Sequence, residues 1–274
     1  MKKELESIYY REIRRIIENE CGIYLSEDKD NHVKMRLNKR MNELSIPDIY
    51  HYFNYLKQDK KEIQKLINEI TVNETYFFRE FDQLKVFGEI CLLEIAQEKN
   101  QNTRKIRIWS AGCSTGEEPY SLAIIAKEIL GDEFEVEILA SDIDQNVLNK
   151  AKMGIYDKRS VRYLPDEYLN KYFIKVEEGY KINNEIKKMV KFFHHNLIKY
   201  DEYSLFNNVD FIFCRNVLIY FSDENKAKVV QGFYNVLNNG GYIFLGHSES
   251  VGRLSNLFKL ERKDGYIVYR KPHI

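Results

Sequence analysis

Residues 106–120 read IRIWSAGCSTGEEPY, an apolar alternation that runs into small residues and then into two carboxylates, Glu117 and Glu118. In a doubly wound sheet, the first strand-to-helix turn needs small residues so that the backbone can approach a ligand. The lysine of a phosphate loop is absent, and so is the G-x-G-x-x-G spacing of a dinucleotide site. Acids at a helix N-terminus favour the helix dipole but repel phosphate. The stretch therefore predicts a site for a ligand that carries positive charge and hydroxyls but no phosphate.

The sequence after about residue 104 alternates apolar strands with amphipathic helices, which is typical of a parallel sheet covered by helices. The tail has the pattern of an antiparallel hairpin that turns at 263–265. Two further short strands are predicted in 172–193, around Gly179. The predicted strands are 105–110, 135–141, 209–214 and 241–246, and the predicted helices are 117–130, 144–152 and 223–237.

The first 70 residues follow a helical period and carry no strand pattern. We expect four helices there: the second begins after Ser26, the third opens at Ser45 with Pro47 in its first turn, and the fourth starts at Lys61. The predicted organisation is a helical domain in 1–70, a linker and leading helix in 71–104, and an α/β domain in 105–274 with a small β subdomain at about 172–193.

The composition limits the partners of the chain. Lys+Arg and Asp+Glu number 42 each in 274 residues, so a formal net charge of zero gives no global attraction to nucleic acid or to an anionic membrane. The four cysteines are scattered, without a C-x-x-C pair or metal-ligand spacing, so neither a disulfide framework nor a metal site is expected. No uncharged run approaches the ~20 residues of a membrane span, and no signal-peptide core is present. We expect a cytoplasmic protein without membrane insertion.

The second predicted strand ends in Asp142, 25 positions after Glu117, where a carboxylate can accept both hydroxyls of a ribose. S-adenosylmethionine fits the predicted ligand because it has a sulfonium, an ammonium and a ribose. The alternative is that Glu117, Glu118 and Asp142 only cap helices. The joint occurrence of the small-residue loop and the acid at the end of the next strand favours the ligand site.

Five segments of the chain occur together in an order that one known family shares. They are NETYFFRE (73–80), IWSAGCSTGEEPYSLA (108–123), LASDID (139–144), FIFCRNVLIYF (211–221) and GGYIFLGHSES (240–250). On these segments the chain resembles the CheR-type chemotaxis receptor methyltransferases. The resemblance implies transfer of a methyl group from S-adenosylmethionine to glutamate side chains of methyl-accepting chemotaxis proteins, giving glutamate methyl esters and S-adenosylhomocysteine. It also implies an N-terminal all-helical domain and a Rossmann-like class I methyltransferase domain with a small antiparallel β subdomain.

The resemblance further implies the residues of the site. Tyr220 falls at a position linked with the reaction centre. We expect Tyr220 to orient the reacting carboxylate, and Arg79 either to orient that carboxylate or to screen the cofactor's own carboxylate. No metal is expected. The implied cofactor contacts are Asn73, Thr75, Arg79, Glu117, Asp142, Asn196, Leu197, Arg215 and Asn216.

Two parts of the chain are candidates for binding the receptor. A basic helix at 27–43 has the charge to meet acidic, glutamate-bearing receptor helices, although it is equally compatible with an ordinary solvated face. The 172–193 subdomain is the second candidate. The basic residues of the helix are Lys29, Lys34, Arg36, Lys39 and Arg40.

Other functions are weaker alternatives. A catalytically silent S-adenosylmethionine-binding regulatory module is the main one, and the presence of Arg79, Arg215 and Tyr220 argues against it. A methyltransferase of the same fold that modifies a different protein acid is a third possibility. The missing G-x-G-x-x-G disfavours a nicotinamide oxidoreductase.

The remaining reactive side chains are assigned no chemistry. Cys113 and Cys214 are expected to be small buried hydrophobes at strand ends. His194 and His195 are adjacent on a predicted strand, so their side chains point to opposite faces and do not share one metal ion. His247 ends a central strand, and its contact with a ligand is left open.

Overall fold

The computed structural model describes residues 2–25, 30–71, 73–99, 104–250 and 256–273. They divide into two compact units. The first is Met1–Val72 with Tyr220–Asn225, and the second is Asn73–Ile219 with Lys226–Ile274.

The first unit is helical. In its described residues, α1 is Lys2–Cys21, α2 is Asp30–Glu43, α3 is Ile49–Gln58 and α4 is Lys60–Ile70. The expected start of α3 at Ser45 is wrong: Asp48 is the N-cap, and its side chain accepts the His51 amide at 3.0 Å. Pro47 therefore lies before the helix. The expected start of α2 after Ser26 falls outside the described residues, as does Lys29.

An ion pair lies inside the helical unit. The Arg40 side chain is 10% exposed, and its Nη2 lies 2.7 Å from Oε2 of Glu62, which is 1% exposed. The Tyr52 hydroxyl donates to Glu62 Oε1 at 2.9 Å. The expectation that Arg40 forms part of an outward basic face is therefore wrong, because its charge is neutralised within the unit. Lys39 is half exposed and pairs with Glu69 at 2.8 Å.

The second unit is built on a seven-stranded sheet with the order β6-β2-β1-β7-β8-β10-β9. The five strands from β6 to β8 are parallel, and β10 and β9 close the sheet as an antiparallel hairpin. A separate small sheet has the antiparallel order β3-β5-β4. The strands are β1 Lys105–Ala111, β2 Glu135–Asp142, β3 Ile155–Tyr156, β4 Phe173–Val176, β5 Gly179–Ile182, β6 Val190–His194, β7 Val209–Cys214, β8 Leu237–Leu245, β9 Lys259–Lys263 and β10 Tyr266–Arg270.

The remaining helices cover the sheet and connect its strands. None of the described helices is both long and apolar enough to cross a membrane. They are α5 Phe81–Val86, a π-helical turn Phe87–Leu92, α6 Leu93–Glu98, α7 Glu117–Leu130, α8 Gln145–Met153, α9 Asp166–Tyr172, α10 Asn184–Lys188, 3₁₀ turns Tyr200–Phe206 and Leu218–Tyr220, and α11 Asp223–Val236.

The predicted insertion at 172–193 is divided between the two sheets. Its first part forms the β4–β5 hairpin around Gly179, as predicted. Its second part does not join that hairpin, because β6 pairs in parallel with β2, with Val190 opposite Ile138. Both residues are buried, so the apolar side of β6 completes the core of the large sheet.

Aromatic side chains fill the core beside the central strands. The Trp109 indole stacks on Phe206 with ring centroids 4.1 Å apart, and it meets Phe233 edge-on. Phe87 packs edge-on against Phe211 and Phe213. Large buried rings contribute much of the packing energy of such a core.

Candidate active site

The loop after β1 is tied to the end of β2. The backbone amides of Gly112 and Cys113 both donate to the Ser141 carbonyl, at 2.8 and 2.9 Å. The φ of Gly112 is +87°, and a Cβ at this position would lie 2.4 Å from Cγ2 of Val217. Only glycine meets both conditions, so the loop backbone lies close against the neighbouring strand end.

Asp142 connects this loop to β2. Its Oδ2 accepts the Ser114 amide at 2.8 Å, and its Oδ1 accepts the Asp144 amide at 2.9 Å. Burial raises the pKa of Asp142 to about 6, against the effect of these two amides and of the Ile143 amide. A carboxylate has about four lone-pair positions, so these amides do not occupy all of them. The remaining capacity fits a ribose hydroxyl of S-adenosylmethionine.

The two acids that follow the loop have different partners. Glu117 is 2% exposed, and it accepts the Thr115 hydroxyl at 2.6 Å and the Ser160 hydroxyl at 3.0 Å. Glu118 accepts the Ser110 hydroxyl at 2.7 Å and lies 3.4 Å from Arg215 Nη1. Burial raises the pKa of both carboxyls. Only Glu117 faces the loop.

The alternative that the acids serve only as helix caps does not fit the geometry. The residue before α7 is Gly116, in a left-handed conformation and without a side-chain cap. The cap of α8 is Asp144, whose Oδ1 accepts the Asn146 amide at 2.8 Å. Neither Glu117 nor Asp142 occupies a cap position.

The segment Asn73–Glu80 contacts the same loop through Asn73. The Asn73 side-chain amide donates to Asp144 Oδ2 at 3.3 Å, and the Asn73 carbonyl accepts the Ser114 hydroxyl at 3.2 Å. Thr75 is half-buried. Arg79 Nη1 donates to the Glu74 carbonyl at 2.9 Å, and the partly exposed guanidinium is 5.9 Å from the centre of the Tyr76 ring.

The predicted contacts after β6 and β7 also lie at the carboxyl edge of the sheet. Asn196 and Leu197 follow β6 and are 8% and 7% exposed. Asn216 follows β7 with a φ of +59°, and its buried side-chain Oδ1 has no hydrogen-bond partner. A buried acceptor without a donor is rare in native proteins. It fits a ligand that supplies an N–H or O–H group.

Glu249 is a site-forming residue that the sequence reasoning missed. Its two carboxylate oxygens accept the backbone amides of Asn216, Val217, Ile219 and Gly246, at 2.7 to 3.2 Å. It therefore fixes the turn that carries Asn216. Its only signal was its place in the GHSES segment, which gives no information about these long-range partners.

Tyr220 groups with the helical unit. Its backbone carbonyl accepts the Tyr24 amide at 2.7 Å, and the neighbouring Phe221 forms a bridge with Ile23. Its assignment to the reaction centre stays a prediction.

The histidines have separate environments. His247 is 62% exposed, with Nε2 3.9 Å from Glu80 Oε2. His194 Nε2 lies 2.8 Å from the Ile143 carbonyl. His195 is buried, with Nδ1 3.3 Å from Glu202. Across the part of the chain that the structure describes, no group of acids, cysteines or histidines has the geometry of a metal site.

The fold and the loop geometry define a class. The parallel strands with a terminal antiparallel hairpin, the glycine loop after β1 and the buried acid after β2 are those of a Rossmann-like class I S-adenosylmethionine-dependent methyltransferase.

Comparison with known families gives the specific relationship. Residues 73–267 match the model "CheR methyltransferase, SAM binding domain", and residues 9–71 match "CheR methyltransferase, all-alpha domain". The chain belongs to the CheR methyltransferase family.

Curated relatives are similar over nearly their whole lengths. Chemotaxis protein methyltransferase 2 of Vibrio cholerae is 41% identical, covering 92% of this chain and 88% of that protein. Chemotaxis protein methyltransferase of Borreliella burgdorferi is 35% identical, with 89% and 88% covered. Its counterpart in Escherichia coli K12 is 34% identical, with 96% and 91% covered.

Proposed function

We propose that this protein transfers the methyl group of S-adenosylmethionine to glutamate side chains of chemoreceptors, forming glutamate methyl esters and S-adenosylhomocysteine. The observation that carries the proposal is the family match over 73–267, which includes every residue proposed for the site. The relatives' names, chemotaxis protein methyltransferase, support the class of acceptor.

The chemistry requires little of the protein beyond positioning. The cofactor supplies a methyl group already activated by its sulfonium, and an ionised glutamate is an anionic nucleophile, so no general base is needed. The O–CH₃ bond forms as the S–CH₃ bond breaks, and the electron pair of the broken bond stays on sulfur. Alignment of the reacting atoms contributes up to about 7–11 kcal/mol when geometry is good.

We assign the cofactor contacts on the geometry of the carboxyl edge. Asp142 accepts the ribose of S-adenosylmethionine with the lone-pair capacity that the Ser114, Ile143 and Asp144 amides leave free. Asn216 offers its unpartnered Oδ1 to a donor of the ligand. The contacts that the family resemblance implies for Asn73, Thr75, Arg79, Glu117, Asn196, Leu197 and Arg215 complete the set.

Arg79 and Tyr220 are assigned orientation of the reacting carboxylate. The planar guanidinium of Arg79 matches a carboxylate in two hydrogen bonds. Because attack neutralises both the carboxylate and the sulfonium, a strong charge clamp on the substrate would oppose the step. Arg79 and Tyr220 therefore act through geometry more than through stabilisation of charge.

We propose that the acidic receptor segments meet Lys34, Arg36 and Lys39 of α2, with the β4–β5 hairpin as a second docking site. These three cations are at least partly exposed, although Arg36 and Lys39 share Glu69 as a partner. A cytoplasmic location is consistent with the four cysteines, which are all buried and unpaired.

The test is incubation with methyl-labelled S-adenosylmethionine and a cytoplasmic chemoreceptor fragment, followed by alkali. Release of labelled methanol identifies a glutamate methyl ester. A receptor fragment whose methylation-region glutamates are changed to alanine serves as the control and should stay unlabelled. Tight cofactor binding without any labelling would favour the silent regulatory module, and a label that resists alkali would exclude an ester.

A further inference from the structure

We infer that Glu118 and Arg215 are positioning residues that hold the backbone turn carrying Arg79, and that the two terminal nitrogens of the Arg215 guanidinium act on this turn. The inference deepens the proposed function and rests on it for its effect on methyl transfer. Its structural part can be tested without any activity.

The Arg215 guanidinium is enclosed by protein groups. Its side chain is 2% exposed, with Nη1 3.4 Å from Glu118 Oε2 and Nη2 3.2 Å from Glu80 Oε2. Nη2 also donates a hydrogen bond to the backbone carbonyl of Arg79. Both terminal nitrogens therefore face the protein, and one of them holds the backbone of Arg79, a proposed catalytic residue. The third nitrogen, Nε, is buried without a hydrogen-bond partner.

The turn that Arg215 holds has an unusual conformation. Phe78 and Glu80 have φ angles of +58° and +56°. Residues other than glycine adopt this left-handed region only where surrounding contacts impose it. The Phe78 amide is held by the Ser121 hydroxyl at 3.0 Å, and Arg215 supplies the second contact, at the carbonyl between Phe78 and Glu80. Without Arg215, the Arg79–Glu80 part of the turn loses its direct tie to β7.

Glu118 orients Arg215 in turn. Its carboxylate accepts the Ser110 hydroxyl on β1 at 2.7 Å and uses its other oxygen for Arg215. The side chain is 14% exposed, so the neighbouring guanidinium offsets the cost of its burial. The chain of contacts runs from β1 through Glu118 and Arg215 to Arg79. Glu118 is therefore occupied by contacts within the protein.

The structural test is hydrogen exchange on the Glu118→Gln variant of the full chain, which keeps the shape of the side chain and removes its charge. We expect exchange in the 76–84 segment to rise about tenfold, the loss of one charged hydrogen bond, with the β1 amides unchanged. The matched control is Glu137→Gln, an acid with the same 14% exposure that pairs with Arg107 and Lys191 near the opposite edge of the sheet. It should leave 76–84 unchanged.

Each outcome of this test decides the structural claim. If hydrogen exchange in 76–84 does not rise, Glu118 and Arg215 do not hold the turn. An equal rise in the β1 amides would report general loosening and would contradict the inference as well. If Glu118→Gln does not fold, Ser110→Ala removes only the hydroxyl that orients Glu118 and should give a smaller local rise of the same kind. Unchanged exchange in that variant would also count against the inference.

The functional test separates positioning from ligand contact. 5′-Methylthioadenosine has the ribose but no carboxylate, so its binding reports Asp142 and not Arg79. Glu118→Gln should keep its dissociation constant within about twofold while the methylation rate of a receptor fragment falls by about tenfold or more. If Glu118→Gln weakens binding of this probe, Glu118 or Arg215 is a ligand contact, and the positioning role is wrong. An unchanged methylation rate would also contradict the positioning role. If the unaltered protein does not methylate receptors, the proposed function fails while the exchange result still decides whether Glu118 and Arg215 hold the turn.

Discussion

The Ser114 amide donates to Asp142 Oδ2 at 2.8 Å, which joins the glycine loop after β1 to the acid that ends β2. The loop and the acid are therefore one structural feature and not two separate motifs. The acid that holds the loop is also the acid proposed to hold the ribose. A change at Asp142 should affect both the loop and the ligand.

Asp142→Asn should weaken cofactor binding. An amide NH₂ would face one of the backbone amides that the carboxylate now accepts, and one acceptor for the ribose would be lost. We expect the dissociation constant for S-adenosylhomocysteine, measured by calorimetry, to rise by at least about tenfold. Asp210→Asn is the matched control, because Asp210 is also buried and accepts the Arg107 amide at 3.0 Å. Asp210 lies near the start of β7, at the edge of the sheet opposite the candidate site. It should lower stability only. Unchanged affinity in Asp142→Asn would contradict the ribose assignment.

Cofactor affinity should depend on pH through the same residue. Burial raises the pKa of Asp142 to about 6 in the free protein, and a ribose hydroxyl favours its ionised form, so binding lowers that pKa. As the pH falls through 6, Asp142 is protonated in the free protein before it is protonated in the complex. Cofactor binding therefore weakens, by up to about tenfold per pH unit. Above pH 7 the affinity should be constant. The Asp142→Asn variant should lose this dependence, whereas a flat profile in the unaltered protein would contradict the role of its ionised form.

Gly112→Ala should impair both folding and binding. The new methyl would strain a backbone at φ +87° and would lie 2.4 Å from Val217 Cγ2. We expect a clear loss of melting temperature and of cofactor affinity. Gly265 has a φ of +82° and open space around it. Gly265→Ala therefore strains the backbone without a steric clash, and it should lose less stability than Gly112→Ala and no cofactor affinity. Adding Val217→Ala to Gly112→Ala should restore part of the stability. If it does not, the clash of the new methyl with Val217 is not a cause of the loss.

The regular part of the fold was predictable from local patterns. The period-two and period-3.6 alternation predicted the central strands and helices to within a few residues, as at 117–130. The start of α3 was misplaced because Asp48 competes with Ser45 for the cap. The pairing of β6 with β2 was missed. The strand beside which β6 lies depends on which apolar surface of the core is still uncovered, and that is a property of the assembled sheet.

The candidate site was predictable only where its residues lie next to a strand end. Asp142 was proposed on this basis, and its contact with the ligand stays a prediction. Glu118 and Glu249 were not, because their partners, Arg215 and the turn after β7, are about 100 and 30 residues away along the chain. Sequence spacing predicts that such acids gather at one edge, but their hydrogen bonds follow from the packed structure.

Arg79→Ala should lose most of the methyl-transfer rate while the fold survives. The Arg79 guanidinium is partly exposed, and its described contacts are the Glu74 carbonyl and the Tyr76 ring, so its removal costs little stability. We expect a fall of at least about a hundredfold in the rate, consistent with lost orientation. Arg162→Ala is the matched control, because Arg162 is exposed and lies 4.8 Å from the centre of the same ring. Near-normal turnover of Arg79→Ala would remove Arg79 from the mechanism.

Reversing two charges on α2, by Lys34→Glu with Lys39→Glu, should weaken methylation of receptors and leave cofactor affinity alone. Lys39 is half exposed and loses surface pairs with Glu69 and Glu43, each worth about 1 kcal/mol or less, so the loss of stability should stay small. The control is Lys57→Glu with Lys60→Glu, the same change in charge on exposed positions of the same unit.

Receptor methylation at several salt concentrations and calorimetric binding of S-adenosylhomocysteine measure the two effects separately. We expect the KM for the receptor fragment to rise about tenfold at low salt and the difference to shrink as salt screens the charges. The control pair should change KM little. An equal loss of methylation and of cofactor affinity would refute α2 as the receptor-binding surface, because the charge reversal would then be acting on the whole protein.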